Sequence, residues 1–368
     1  MSFVSNHRRG LVLSTFSLFV LVTSSQAGVK IGEGDKWVSI GAGMKTAFRI
    51  TEDSAPNGTD SSKNFALDDV RLYLNGSVTD TIQVEINTVK FPGDNVDILD
   101  AVFKLQLSDE FNVWMGQHIP PSDRLNYSGG FYQNTFDFPV VASRYAIQND
   151  IGRDDGLSAY GKLADGKFLY HIGIFDGNIN NASAEDNLLY AFRVSYSFLE
   201  VEPAPFYYTG GTYYGDKDIL TIGFALNYQE DGVAAGVDDT TWNVDALFEK
   251  ALDNDGVVTI EAAYYSYDRQ GSAPNFGGAP INGDGSACLV YAGYLIPTEV
   301  GPGKFQPHIR YQDFDDDANL GQSQLDIGVN YVIAGHNGRI TLVYSIVDSD
   351  VAGAAENDVI LLGGQFQF

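Results

Sequence analysis

The arginines of one long connecting stretch are the residues with the clearest chemistry. The stretch, residues 119–154, contains three of them: Arg124, Arg144 and Arg153. A guanidinium group forms forked hydrogen bonds with phosphate and carboxylate groups, so these side chains predict a constriction that contacts anions. The same stretch contains four aspartates: Asp123, Asp137, Asp150 and Asp154. Internal salt bridges are therefore an open alternative to contact with a solute.

Further charged side chains occupy every second position in segments that alternate apolar with polar residues. We expect these positions to face the interior of the fold. Those on the early segments are mostly basic: Lys45, Arg49, Arg71, Lys104, Lys162 and Arg193, accompanied by Asp69, Glu85 and Asp100. Acids dominate the later segments: Asp245, Glu249, Glu261 and Asp326, against Arg310 and Arg339. Opposite signs on two halves of a closed wall would set an electric field across a lumen. The alternative is that these residues are charged only because they are in contact with water.

The sequence indicates no catalytic residue, metal site or cofactor. Four histidines follow residue 27, but none has the spacing of a zinc motif, and no G-x-S-x-G elbow occurs. The acidic runs at residues 253–256 and 315–317 lack the twelve-residue calcium loop. We keep only the hypothesis that acidic loops recruit divalent cations, which would bridge to anionic outer-membrane lipid and lipopolysaccharide.

The amino-terminal segment predicts export. Arg8 and Arg9 precede an apolar run at residues 11–22, and Ala27 ends a small-residue cleavage site. We therefore expect a signal peptide at residues 1–27 and one domain at residues 28–368. The signal contains two of the 22 basic residues and none of the 48 acidic ones, so the remainder carries a net charge of −28. Such a chain repels nucleic acid, and its one cysteine, Cys288, excludes an internal disulfide.

The segments that carry these residues alternate apolar with polar side chains. At residues 359–368, for example, Ile360, Leu362 and Phe366 alternate with Leu361 and Gln365, and the last residue is aromatic. About sixteen such segments predict an all-β fold, a transmembrane antiparallel β-barrel, because a closed barrel leaves no backbone group unpaired in lipid. A secreted β-sandwich or propeller is the alternative.

The connections support the barrel, because short turns and long loops alternate along the chain as they do in outer-membrane barrels. The eight long loops contain 21 acidic residues and five basic ones. The longest, residues 119–154, is the candidate for a constriction loop folded inward. One connection on the short side, residues 199–217, is too long, which suggests a missed pair of strands or a periplasmic excursion.

The chain resembles the phosphate-selective porin family. The resemblance rests on residues 105–120, which end in G-Q-H-I-P, on the G-R-D-D-G sequence at residues 152–156, and on the terminal aromatic residue. The order of strands, turns and loops is similar over the whole region after residue 27, although specific matching is confined to residues 96–175. The resemblance implies a sixteen-stranded homotrimer in the outer membrane that passes small hydrophilic solutes passively.

A preference for phosphate or other inorganic anions is one hypothesis from this resemblance, but the acidic outer loops oppose the capture of anions. A general porin is therefore the preferred interpretation. A plugged or partner-binding barrel, for example a conduit for a redox partner, is the alternative.

Overall fold

The computed structural model describes residues 28–143, 152–177, 186–202, 207–268, 284–317, 320–350 and 356–368. The predicted signal peptide, Arg144 and Asp150 lie outside these residues. The described elements, in chain order, are β1 (Val29–Glu33), β2 (Lys36–Thr51), β3 (Ser62–Ser77), β4 (Ile82–Lys90), β5 (Asp97–Gln106), β6 (Asn112–His118), α1 (Arg124–Ser128), β7 (Asp154–Leu163), β8 (Phe168–Phe175), β9 (Leu189–Ser197), β10 (Ile219–Ala234), β11 (Val237–Ala251), β12 (Val257–Asp268), β13 (Gly285–Leu295), β14 (Glu299–Val300), β15 (Gly303–Asp316), β16 (Gly321–Val332), β17 (Gly338–Ser349) and β18 (Val359–Gln367).

Sixteen of these strands form a closed antiparallel wall. Each pairs with the wall strand that follows it in sequence, and β18 pairs with β2, from Val359 opposite Thr51 to Gln367 opposite Gly43. The remaining two strands are short additions: β1 forms a hairpin with the start of β2, and β14 pairs with the start of β15. The predicted barrel is confirmed, since each of the sixteen segments read from the sequence overlaps one wall strand.

Alternation along each strand separates an apolar outer face from a polar inner face. On β2, Ile40 and Met44 are exposed, whereas Lys45 and Ala47 are buried. The same period continues to the end of β18, where Phe366 is exposed beside the buried Gln365. Large apolar side chains at the outer surface and paired backbone groups between the strands are the arrangement that a lipid environment requires. No helix among the described residues is long and apolar enough to cross a membrane.

Two expectations about the connections were wrong. Residues 199–217 contain no strand where they are described; their second half turns inward into the barrel. The loop expected at residues 231–239 is mostly strand, because β10 runs to Ala234 and β11 starts at Val237. Gly236, with a φ of 77°, makes this tight connection possible.

Several side chains that point into the barrel are fully buried, which a lumen filled only with water would not produce. Asp100 on β5, Glu249 on β11 and Arg339 on β17 are all 0% exposed. They come from different parts of the wall, so they cannot bury one another. Chain segments inside the lumen must therefore cover them.

Candidate functional site

The first segment in the lumen, which we call the inward loop, comprises residues 119–143. It contains α1, whose first turn is capped by Asp123: the carboxylate accepts a hydrogen bond of 2.6 Å from the backbone amide of Asn126. Gly129 ends the helix with a φ of 56°, a conformation that favours glycine. The cap and the glycine fix the bend that directs the rest of the loop across the barrel.

The inward loop contacts walls on opposite sides of the lumen. Near α1, the hydroxyl of Tyr127 lies 2.6 Å from Nδ1 of His171 on β8. Further along, Arg339 on β17 donates to the carbonyl of Gln133 at 2.8 Å, and Gln312 on β15 accepts from the amide of Val141 at 3.2 Å. The loop therefore spans the lumen instead of lying along one wall.

A second segment enters from the end of the barrel that carries the short turns. We call residues 207–215 the inner turn. Glu249 on β11 anchors it by accepting hydrogen bonds from the hydroxyl of Thr212 at 2.5 Å and from the amides of Tyr213 and Gly215 at 3.0 and 2.9 Å. His336, in the turn before β17, lies 2.9 Å from the carbonyl of Thr212. Burial, with a contribution from Arg339, lowers the pKa of His336 to about 3, so its ring is neutral.

Six of the nine basic residues predicted to line the pore are buried in ionic contacts or hydrogen bonds. The shared pattern is a cation beside a carboxylate: Arg71 with Asp69 at 2.8 Å, Lys104 with Glu85, Arg124 with Glu202 at 2.6 Å, Arg153 with Asp100 at 3.1 Å, and Arg193 with Asp245 at 2.5 Å. Lys45 instead donates to the carbonyls of Gly130, at 3.0 Å, and Phe136 on the inward loop. Five of these six cations are thus neutralised locally by a carboxylate.

The remaining basic residues have different surroundings. Arg49 is half-buried toward the long-loop end and bridges Asp68 at 2.6 Å and Asp137 of the inward loop at 2.9 Å. Lys162 on β7 is half-buried near the short-turn end and forms no ion pair with a described carboxylate. Arg144 lies outside the described residues. The structure therefore brings eight of the nine residues to the lumen, six of them buried and two half-buried.

Lys162 lines a pocket of about 40 Å³ near the short-turn end, which is room for about three water molecules. Its polar lining consists of Arg124, Lys162, Lys167, Arg193, Glu202, Ser195, Ser197, Thr209 and Thr221. Four cations face one carboxylate there, in a chain that is strongly acidic elsewhere. Hydroxyl donors beside ammonium groups can bind a small anion.

Solved structures share this architecture. The OmpF protein of Salmonella typhi, in complex with daunomycin, is 13% identical, with a TM-score of 0.63, over 92% of this chain and 100% of its own. The OmpT protein of Vibrio cholerae, folded in vitro and in a trimer form, is 13% identical, with a TM-score of 0.58, over 91% and 100%. A mutant of the Rh. blastica porin is 13% identical, with a TM-score of 0.57, over 90% and 100%. The fold is that of the porin barrels.

At this level of identity the likeness extends to the fold alone. No protein-family model and no curated protein matches the sequence. The pairing of the charges in the lumen and the position of the inner turn are therefore described from this structure alone.

The sequence did not identify the inner turn as part of the site. Glu202, Tyr207 and Tyr208 each pair with a basic or acidic residue of the lumen, yet no motif marks them. The available signal was the excessive length of residues 199–217, together with four tyrosines and three glycines at residues 207–215. A turn of that length and composition can fill a cavity, whereas a simple hairpin needs only a few residues.

Proposed function

We propose that this protein is a porin of the Gram-negative outer membrane, through which small hydrophilic solutes diffuse passively without an enzymatic step. The observation that carries the proposal is the closed wall with an apolar outer face, around a charged lumen that the inward loop crosses. An inward loop narrows the water path and exposes solutes to fixed charges, which is how a porin selects them. A signal peptide cleaved near Ala27 would deliver the chain, lipid and lipopolysaccharide would surround it, and three copies would form a homotrimer.

Single-channel recording in planar bilayers tests this proposal. Purified, folded protein should give ohmic conductance steps, and steps in groups of three would support the trimer. Heat-modifiable migration in a detergent gel would establish that the same preparation is folded. An absence of conductance steps from protein that passes this control would contradict the porin proposal.

We infer in addition that the pore prefers small inorganic anions, as the resemblance to the phosphate-selective porins implies. The pocket at the short-turn end supports this, because the ammonium groups of Lys162 and Lys167 line it and form no salt bridge with a described carboxylate. The acidic long loops act in the opposite direction at the other entrance.

Replacing Lys162 and Lys167 together by glutamine should shift the reversal potential in a salt gradient toward cation preference, because it removes two positive charges from the short-turn end of the lumen. The matched control is Lys250→Gln, since this exposed lysine at the same end is paired with Asp218 at 2.6 Å. An unchanged reversal potential in the double variant would leave the anion preference without support. These lysines are better targets than Arg124 or Arg153, whose removal would strand a buried carboxylate.

A plugged or partner-binding barrel is the second candidate, and the burial of inward-facing wall residues favours it. Glu249 and Arg339 are fully buried although they point into the lumen. If the segments inside stay fixed and leave no continuous water path, the barrel would display its loops to a partner and conduct nothing.

A further inference from the structure

We propose that the inner turn, and not the inward loop alone, determines the size limit of the pore, by closing its short-turn half and holding both ends of the connection between β6 and β7 to which the inward loop belongs. This inference rests on the proposed porin function. It concerns a segment that enters the barrel from the end opposite to the inward loop.

The two ends of the connection between β6 and β7 meet two adjacent tyrosines of the inner turn. The amide of Ile119, the first loop residue, donates to the hydroxyl of Tyr207 at 3.0 Å. Arg153, just before β7, donates to the hydroxyl of Tyr208 at 3.4 Å. Both hydroxyls in turn donate to the carboxylate of Asp100 on β5. The first and last parts of this connection are thus held at one point of the wall by the inner turn.

The middle of the inward loop is joined to the inner turn through backbone atoms. The amide of Gly211 donates to the carbonyl of Tyr132 at 2.7 Å, and the side chain of Asn134 donates to the carbonyl of Gly211 at 2.9 Å. A Cβ atom at Gly211 would lie 2.8 Å from Nδ2 of Asn134, so only glycine allows this approach. The two segments therefore pack as one layer.

The α1 end of the inward loop is attached as well. The guanidinium of Arg124 forms a forked pair with Glu202, at 2.7 and 2.6 Å, and donates to the carbonyl of Gly210 at 2.6 Å. With Glu249 holding the other side of the inner turn, this segment bridges the barrel from β5 to β11. Tyr207 and Thr212 are each only 1% exposed, so little water reaches the layer they form.

The wall offers a simple way to remove the segment. The amide of Glu200 donates to the carbonyl of Asp218 at 3.1 Å, so the chain on either side already runs as a hairpin. An Asn-Gly turn in place of residues 201–217 would join β9 to β10 in the most favoured hairpin geometry. Arg124 keeps a carboxylate nearby in this variant, because its Nε also lies 3.7 Å from a carboxylate oxygen of Glu261.

The matched control shortens another turn at the same end of the barrel. Residues 297–302 contain β14, whose two residues are exposed, so this turn lies outside the lumen. Single-channel conductance and the swelling of liposomes in sugars of increasing size would be measured for all variants.

Loss of the inner turn should raise conductance severalfold and admit larger sugars, while the variant shortened at residues 297–302 should resemble the parent protein. Conductance from this variant but not from the parent would also support the inference, although it would overturn the porin proposal in favour of a plugged barrel. An unchanged size limit in a conducting variant would overturn the inference alone. If neither the folded parent nor the folded variant conducts, both the inference and the porin proposal would be overturned.

Should the shortened chain fail to fold, Tyr207→Phe with Tyr208→Phe provides the test. This pair removes only the two hydroxyls that reach Asp100, and Tyr190→Phe with Tyr264→Phe is the control on the outer face, where both rings are exposed. A higher conductance or a larger size limit in the first pair and not in the second supports the inference. No difference between the two pairs would overturn it.

Discussion

The wall joins its strands through backbone hydrogen bonds between neighbours in sequence, whereas the lumen is joined by side chains from distant parts of the chain. β2 and β3 pair over almost their whole lengths and are separated by a single loop. In the lumen, Arg339 donates to Gln133, 206 residues away, and Asn330 donates to Asn134, 196 residues away. A ladder tolerates most changes of side chain, but a buried polar contact depends on both of its partners. The wall should therefore resist substitutions that the lumen does not.

Breaking one ion pair of the lumen should have the largest effect. Arg193 is 3% exposed, and its guanidinium forms a forked pair with Asp245 at 2.5 and 2.8 Å. Arg193→Met leaves the carboxylate buried without its cation, which should lower the free energy of unfolding by about 3–5 kcal/mol. Urea unfolding of the barrel in lipid vesicles would measure the loss.

The double variant Arg193→Met with Asp245→Leu separates the charge from the packing. Removing both partners should restore most of the stability, because no unpaired charge then remains in the lumen. Equal losses of unfolding free energy in the single and double variants would mean that the pair stabilises this region mainly through packing. The lumen would then not depend on paired charges.

Placing a charge on the outer face of the wall should have the next largest effect. Ile172 lies in the middle of β8 and is 45% exposed, between paired residues of β7 and β9. Ile172→Arg should cost about 2–4 kcal/mol of unfolding free energy in a bilayer, because a guanidinium group then faces hydrocarbon. Leu163→Arg, at the end of β7, is the matched control and should cost about 0–1 kcal/mol. Equal costs at the two positions would contradict a membrane-embedded wall.

The same contrast explains what could be predicted from the sequence. Alternation is a local property, so the sequence placed all sixteen wall strands, including β18 and the inward phase of Lys45 and Arg193. The partners of those charges depend on how two loops fold inside the barrel. A local alternation of residues contains no information about such contacts. Asp100 illustrates the limit: the sequence gives its face, but not that Tyr207, Tyr208 and Arg153 converge on it.

The smallest effect that we predict is a response of the lumen to acid, since it depends on one partly accessible pair. Burial by itself would raise the pKa of Glu202, but the forked pair with Arg124 outweighs it and holds the pKa below its ordinary value. A carboxylate whose pKa is lowered by folding contributes stability above its unfolded pKa, about 4.3, and loses it as the pH falls through the folded value. Acid below about pH 4 should therefore loosen the attachment of α1 while the backbone ladder of the wall persists.

Limited proteolysis across pH 2–6, with the wall followed by circular dichroism, would reveal this loosening as new cleavage in the inward loop. Glu202→Gln should show such cleavage already at neutral pH and lose the response to acid, whereas Glu299→Gln, on the exposed β14, should behave as the parent. A parent protein whose loop stays protected until the wall itself unfolds would show that the lumen and the wall form one cooperative unit.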